Sequence, residues 1–421
     1  MKVQAAGTPN ALFVRRSLPW LIGAGGLLLF LITLNHWVTL QSLGTVARVS
    51  GWLWRPELNH PLTFTLLLPF RLLPETWIPL ALNFTNALCA APVLVLLARS
   101  VALLPQDVGS DKSVWNESAL KLLLARNSWL PPILASILCA FQLSFWEHAT
   151  SASGEMLDLL VFAYVLRCLL EFRLDPNQNW LTRAVFVYAA GMTNDWALVA
   201  FFPVFIVGLI RAKTVHGFFQ PAFLRRVLLC GLAGYSLYLL SPAIQSLFSY
   251  PSVDFWTVLK GHARAQREIV GYFRKPAFAV LAVATLLPLV VLSIPWKSHS
   301  VQIADDTRLG VFLTKATGHV LHAFFFLGSL WLAFDPTFSP RHLAIGPSML
   351  TYYYLSSLVF GYCAGYFLVF GLKASEAQSP NSVRFCRSLI VKSLYSLIFV
   401  LPCLLASRNL DQVRTTNGTL L

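Results

Sequence analysis

Glu155 and Asp158 stand three residues apart, and the polar run Phe145-Trp146-Glu147-His148 lies a few residues before them. At i and i+3 the two acids share one helical face. Both stretches border apolar runs, and an acid placed at mid-membrane costs roughly 2.5–3.5 kcal/mol on insertion scales, less near the interface. Several together point to a polar cavity. Carboxylates there suit a general base, a divalent cation or the binding of sugar hydroxyls. An acidic lip open to water accounts for the same residues.

A second knot, Trp54-Arg55-Pro56-Glu57-Leu58-Asn59-His60-Pro61, gathers Glu57, Asn59 and His60. Proline after His60 favours extended backbone there, which fixes the imidazole direction. His60 can then hold a phosphate or accept a proton, although a structural loop histidine is the plainer reading. Asp195 sits in the polar turn Thr193-Asn194-Asp195. Arg264, Arg267 and Arg274, with Arg341 beside His342, offer guanidiniums whose geometry matches phosphate. Attraction to anionic lipid head groups explains these charges equally well. Walker A, GxGxxG, HExxH and GxSxG patterns are missing, so nucleotide hydrolysis and the common protease and esterase mechanisms have no support.

The elements that must position these residues are set by composition. Of 421 residues, 56% are hydrophobic and 12% charged, and the mean hydropathy is +0.64. Soluble domains carry about a quarter charged residues, so lipid is this chain's expected solvent. The net charge of +14 is dispersed among loops, with no block that fits nucleic acid. Seven cysteines, in or beside apolar stretches and without CxxC, read as small core residues.

The pattern predicts an all-α polytopic membrane protein with about eleven transmembrane helices. The spans fall near 18–38, 76–98, 129–148, 154–172, 183–193, 196–211, 227–247, 276–295, 317–334, 348–372 and 388–406. The first is read as an uncleaved signal anchor. Placing the N-terminus in the cytoplasm gives every cytoplasmic segment at least three Lys or Arg, as the positive-inside rule requires, and puts the C-terminus outside. This predicts an integral protein of the plasma or inner membrane, with residues 1–407 as the transmembrane domain. Residues 408–421 read as an outer-side tail that begins a further domain.

The pair at 183–211 is too short for two full spans of about 20 residues. Either it is a shortened hairpin holding Asp195 below the outer surface against protein or water, or a tilted pair with an exposed turn. Thr39 to Glu75 reads as an interfacial segment. Asp254 to Lys275 reads as an amphipathic helix, with Trp256, Leu259, Ala263, Val270 and Phe273 on its apolar face and Lys260, Arg264 and Arg267 on another.

Three stretches resemble a family of prokaryotic multi-pass proteins, a domain-of-unknown-function group related to a protein O-mannosyltransferase and more widely to GT-C glycosyltransferases. Asn59-His60-Pro61-Leu62-Thr63-Phe64 with Arg71-Leu72-Leu73-Pro74 is similar to its His-Pro-Pro-Gly-Tyr-Pro stretch. Phe145-Trp146 through Glu155 is similar to its Phe-Trp-x-x-Ala…Glu stretch, with spacing about two residues longer. Gly191-Met192-Thr193-Asn194-Asp195-Trp196 is similar to its Gly-x-x-x-Gly-Asn-His hairpin turn. The resemblance implies a GT-C-like fold that passes sugar from a polyprenyl-phosphate carrier to a protein or glycan acceptor on the outer face.

By position, His60 and Glu155 match family residues. The family's Asp-Ser-Gly-Glu stretch is replaced here by Gly44-Thr45-Val46-Ala47. Inverting transfer to a hydroxyl needs a carboxylate to take a proton or hold a metal. That leaves Glu57, Glu155 or Asp195 for the role, with His60, Asp158 and Glu147 orienting substrate and Arg264, Arg267 and Arg341 binding phosphate. A divalent cation is a possible cofactor. A catalytically degenerate scaffold or lipid-binding subunit, and a transporter or lipid flippase, are the competing readings; the latter lacks a clear internal repeat.

Overall fold

The structure is a computed structural model that describes residues 9–53, 58–104, 123, 127–248, 253–272, 275–292, 308–343, 349–370, 396 and 400–415. Among these no strand occurs. Apolar runs in lipid must satisfy every backbone N–H and C=O within themselves, and the helix does this locally. In chain order the helices are α1 (Leu18–Ile32), α2 (Leu40–Val49), α3 (Pro61–Leu67), α4 (Ile78–Leu103) and α5 (Leu130–Phe141). They continue as α6 (Leu143–Thr150), α7 (Glu155–Leu174), α8 (Gln178–Asn194), α9 (Phe202–Lys213) and α10 (Pro221–Tyr235). The last described are α11 (Leu240–Phe248), α12 (Phe255–Tyr272), α13 (Pro276–Leu292), α14 (Arg308–Leu332) and α15 (Met349–Ala364).

The main core lies where α1, α4, α5, α6, α7 and α15 meet, around Phe30, Leu94, Leu97, Trp146, Met156 and Tyr354. Lipid is as apolar as leucine, so burial alone does little to drive such helices together and close packing must do it. Gly23 and Gly26 on α1 supply that closeness: a Cβ on either would run into Val95 or Leu94 of α4. Cys139, Cys168 and Cys363 are buried, as expected of small core residues, but Cys89 and Cys230 are half-buried and Cys403 is exposed; Cys386 lies outside the described residues.

Among the described residues four helices are long and apolar enough to cross a membrane: Asn10–Ile32, Ile78–Leu103, Trp196–Lys213 and Pro221–Leu247. The number rises to six if the two bent pairs, α5 with α6 and α12 with α13, each form one span. Leu28, Ile32, Val207, Leu228 and Leu232 on these helices are exposed, a surface suited to lipid as its solvent. The segment expected as a single span over 129–148 breaks at Gln142, where α6 turns 70° from α5. Gln142 is buried with extended backbone, φ −60° and ψ 132°. The break re-aims the polar run on α6 away from the α5 axis.

Between α1 and α4 the chain forms α2, capped by a reciprocal Thr39 and Ser42 box, and then α3. Leu40 and Leu72 are more than nine-tenths exposed in this segment. The predicted amphipathic helix is α12, but its packed side differs from the expected apolar face. Val258 and His262 are buried while Trp256 is 62% exposed. Tyr238 holds α12 by its ring against His262 and by its hydroxyl donating to Gln266, and Leu58 fits against Gly261. Phe273 and Arg274 lie outside the described residues. Residues 400–415 form a helix that runs past 408 and packs back on the body, with Asn409 Nδ2 donating to the Phe141 carbonyl at 2.8 Å and Val413 buried.

Two buried amides on α4 fix the linker between α6 and α7. Asn83 accepts from the Ala152 N–H at 2.8 Å, and Asn86 donates to the carbonyls of His148 and Ser151 at 3.2 and 2.7 Å. Asn86→Ala is expected to cost about 1–3 kcal/mol by orphaning buried carbonyls. Thr85→Ala, which removes only a bond to its own helix at Ala81, should be close to neutral. Unfolding in detergent of the two variants side by side measures the difference.

Candidate functional site

Asp158, one turn into α7, is shared. Its Oδ2 lies 2.7 Å from His60 Nδ1, and its Oδ1 accepts from Asn194 Nδ2 at 2.6 Å. Asn194, the last residue of α8, also exchanges two 2.9 Å hydrogen bonds with Thr63 of α3. One carboxylate thus joins the loop before α3, the start of α7 and the end of α8. His60 does not take the extended backbone expected before proline: it is left-handed, with φ 52° and ψ 50°. The bond to Asp158 and the seat of its ring against Gly154 hold it there. Gly154 itself has φ +83°, and a Cβ on it would sit 3.4 Å from the His60 ring.

Consecutive residues of α6 carry the next contacts. Glu147 is buried and receives Arg341 on both oxygens, at 2.5 and 3.4 Å. His148 Nδ1 lies 2.7 Å from the Ser144 carbonyl, so it carries the proton, and Nε2 faces Glu155 Oε2 at 3.8 Å. That Oε2 is buried and accepts no hydrogen bond from the described residues, while the Glu155 side chain as a whole is 25% exposed. Across from Glu147, the Tyr353 hydroxyl donates to Asp335 and also accepts from the Arg341 N–H at 3.3 Å. Burial holds the Asp335 carboxyl above the ordinary carboxylate range despite these partners.

Asp195 is buried, which excludes an exposed turn at 193–195. Its Oδ1 accepts from the Ala197 N–H at 2.9 Å and caps the 3₁₀ turn Trp196–Phe201. Burial, then the nearby Asp158 charge, pushes its carboxyl above the usual range.

The structure therefore gathers His60, Glu155, Asp158 and Asp195, with the Glu147–Arg341 pair reached through α6. Arg264 and Arg267 lie on the exposed side of α12, and no described hydrogen bond or ion pair joins them to this cluster. Glu57 lies outside the described residues. Asn83, Asn86 and Tyr353 were not singled out in the sequence, and Asn194 and Thr63 entered only as members of longer stretches. Asn83 and Asn86 carried a readable signal, two amides at i and i+3 within an apolar run; Thr63 and Tyr353 carried none. Among the described residues no three His, Cys, Asp or Glu side chains converge to hold a metal ion.

The chain matches no family model, no curated protein and no solved structure.

His60 gives the site a pH signature. Burial alone would lower its pKa, but the charge and hydrogen bond of Asp158, with Asp195 and Glu155 behind it, raise it to about 10. A folded-state value above the unfolded one of about 6.5 means stability fully present below pH 6.5 and lost as pH rises through about 10. Thermal unfolding between pH 6 and 10.5 should show this alkaline loss, and His60→Gln should flatten it. An unchanged slope in the variant would remove the imidazolium from the account.

Proposed function

We propose that this chain is a GT-C-like membrane transferase that moves a sugar from a polyprenyl-phosphate carrier to a hydroxyl acceptor on the outer membrane face. In this reading about eleven helices span the bilayer, with the N-terminus cytoplasmic and the Glu155 end of α7 outside. The observation that carries it is Glu155: a partly exposed carboxylate with an oxygen unclaimed by hydrogen bonds, beside acids that are already engaged. Glu147 is held by Arg341, Asp158 by His60 and Asn194, and Asp195 by Ala197. Glu155 is the member best placed to take a proton.

In the proposed reaction Glu155 removes the acceptor hydroxyl proton as that oxygen attacks the anomeric carbon. The bond from carbon to phosphate oxygen breaks, and its electron pair leaves with the carrier phosphate. Arg341 has five N–H donors, of which Glu147 takes two, so donors remain for that phosphate. An apolar groove of about 830 Å³ between α13 and α14, lined by Val283, Leu287, Phe324 and Trp331, supports a lipid-linked donor. The same groove is lined by Phe338 and by Ser356, the latter one turn from Tyr353 on α15.

A non-catalytic lipid-binding subunit is the second reading. It is favoured by the internal neutralisation of the site and by α2, which carries no acid where the resembled family has two. Native mass spectrometry of the detergent-purified protein, followed by a transfer assay with any carrier found, separates the two. Glu155→Gln is expected to lower transfer roughly 10²–10⁴-fold while leaving carrier binding and unfolding unchanged. Unaltered turnover would remove Glu155 as base, and ordinary phospholipid alone in the spectrum would favour the non-catalytic reading.

A further inference from the structure

The other end of α7 holds a second charged centre, about 24 Å from Glu155 at 1.5 Å per residue. Glu171 is 1% exposed there and is the carboxylate for three guanidiniums from three elements. Arg99 of α4 binds Oε1 at 2.5 Å, Arg167 of α7 stands 3.5 Å from the same oxygen, and Arg15 of the turn Phe13–Ser17 stands 3.5 Å from Oε2. Arg99 hydrogen-bonds one oxygen of the carboxylate. Arg15 and Arg167 are too far for good hydrogen bonds, and among the described residues no second acid is paired with these three guanidiniums.

Two further features indicate the ligand. Arg167 and Arg183 lie over the Trp180 ring at 5.6 and 5.5 Å, an arrangement of indole and guanidinium suited to head-group depth. Close to Arg15 in sequence, Leu12, Phe13 and Trp20 are 46%, 40% and 67% exposed, apolar surface on the same N-terminal helix. The segment Pro9–Ser17 is anchored by Ala11 and Val14 against Ala102, Leu103 and Leu170, which fixes Arg15 over Glu171. Free phosphate has no use for the apolar surface. A phospholipid uses both parts.

We infer that Arg15, Arg167 and Arg99, organised by Glu171, form a binding site for the phosphate of an anionic phospholipid, whose acyl chains lie along Leu12, Phe13 and Trp20. The site is independent of the transfer chemistry proposed at the opposite end. Its bound lipid clamps the N-terminal turn to α4 and α7, because the phosphate bridges guanidiniums from these elements.

The test uses the full chain, delipidated in detergent and titrated with phosphatidylglycerol, with phosphatidylcholine, and with inorganic phosphate alone, read by native mass spectrometry. Phosphatidylglycerol is expected to bind where phosphatidylcholine does not, and the double variant Arg15→Gln/Arg167→Gln should bind it about 30-fold more weakly. Arg15→Gln alone, at a side chain 40% exposed, should weaken it about 5-fold and serves as the readout if the double variant unfolds. Arg16→Gln, which removes an equal charge from a neighbouring exposed residue, should retain wild-type binding. Equal binding by wild type and Arg15→Gln would overturn the site, as would a matching loss in Arg16→Gln. Inorganic phosphate that binds and displaces the lipid at equal concentration would overturn the lipid assignment.

Discussion

A charge inside a lipid-solvated protein must find its counter-charge within the chain, and Asp158 is where this constraint shapes the most structure. Its two oxygens are divided between His60 and Asn194, residues from stretches 98 and 36 positions away. Remove that shared acceptor and the loop before α3 loses its hold on α7, leaving the Thr63–Asn194 bonds to tie α3 to α8. The left-handed backbone at His60 is part of the same bargain, since an L-residue before proline enters that region only when its surroundings over-determine it. Gly154 on one side and Asp158 on the other supply that determination.

The break at Gln142 serves the same end by different means. Had α5 continued straight through Thr150, Glu147 and His148 would lie on a long apolar rod. Turned by 70°, α6 presents Glu147 to Arg341 and His148 to Glu155, while Phe145 and Trp146 remain in the core. The amides Asn83 and Asn86 then secure the linker that returns to α7. Packing and polar satisfaction are not separate layers here; each polar group is placed by the helices it joins.

The helical class and part of the apolar spans were legible because hydropathy over about 20 residues reports directly on the solvent, with four to six of the eleven expected spans found among the described residues. The i, i+3 pair Glu155 and Asp158 was legible for the same local reason. What resisted reading was tertiary. Nothing near Gln142 marks a break, for it has neither proline nor glycine beside it. The side by which α12 packs was not legible either: Tyr238 and Leu58 grip it through His262, Gln266 and Gly261, none of which belongs to its apolar or its basic stripe. Arg264, Arg267 and Arg341 were grouped by type, and only Arg341 has a described ion pair within the cluster, because its partner Glu147 lies 194 residues away.

The contrast among the carboxylates on or facing α7 decides what each can do. Asp158 and Glu171 each answer more than one cation or donor, so protonating either would leave several groups unsatisfied at once. Such acids are structural first. Glu155 differs: among the described residues its one ion-pair contact is with His148, at 3.8 Å, whose other nitrogen is committed to Ser144. A proton arriving between Glu155 and His148 would draw them together instead of breaking a network. In the proposed transfer reaction this is why Glu155, and not its engaged neighbours, takes the acceptor proton.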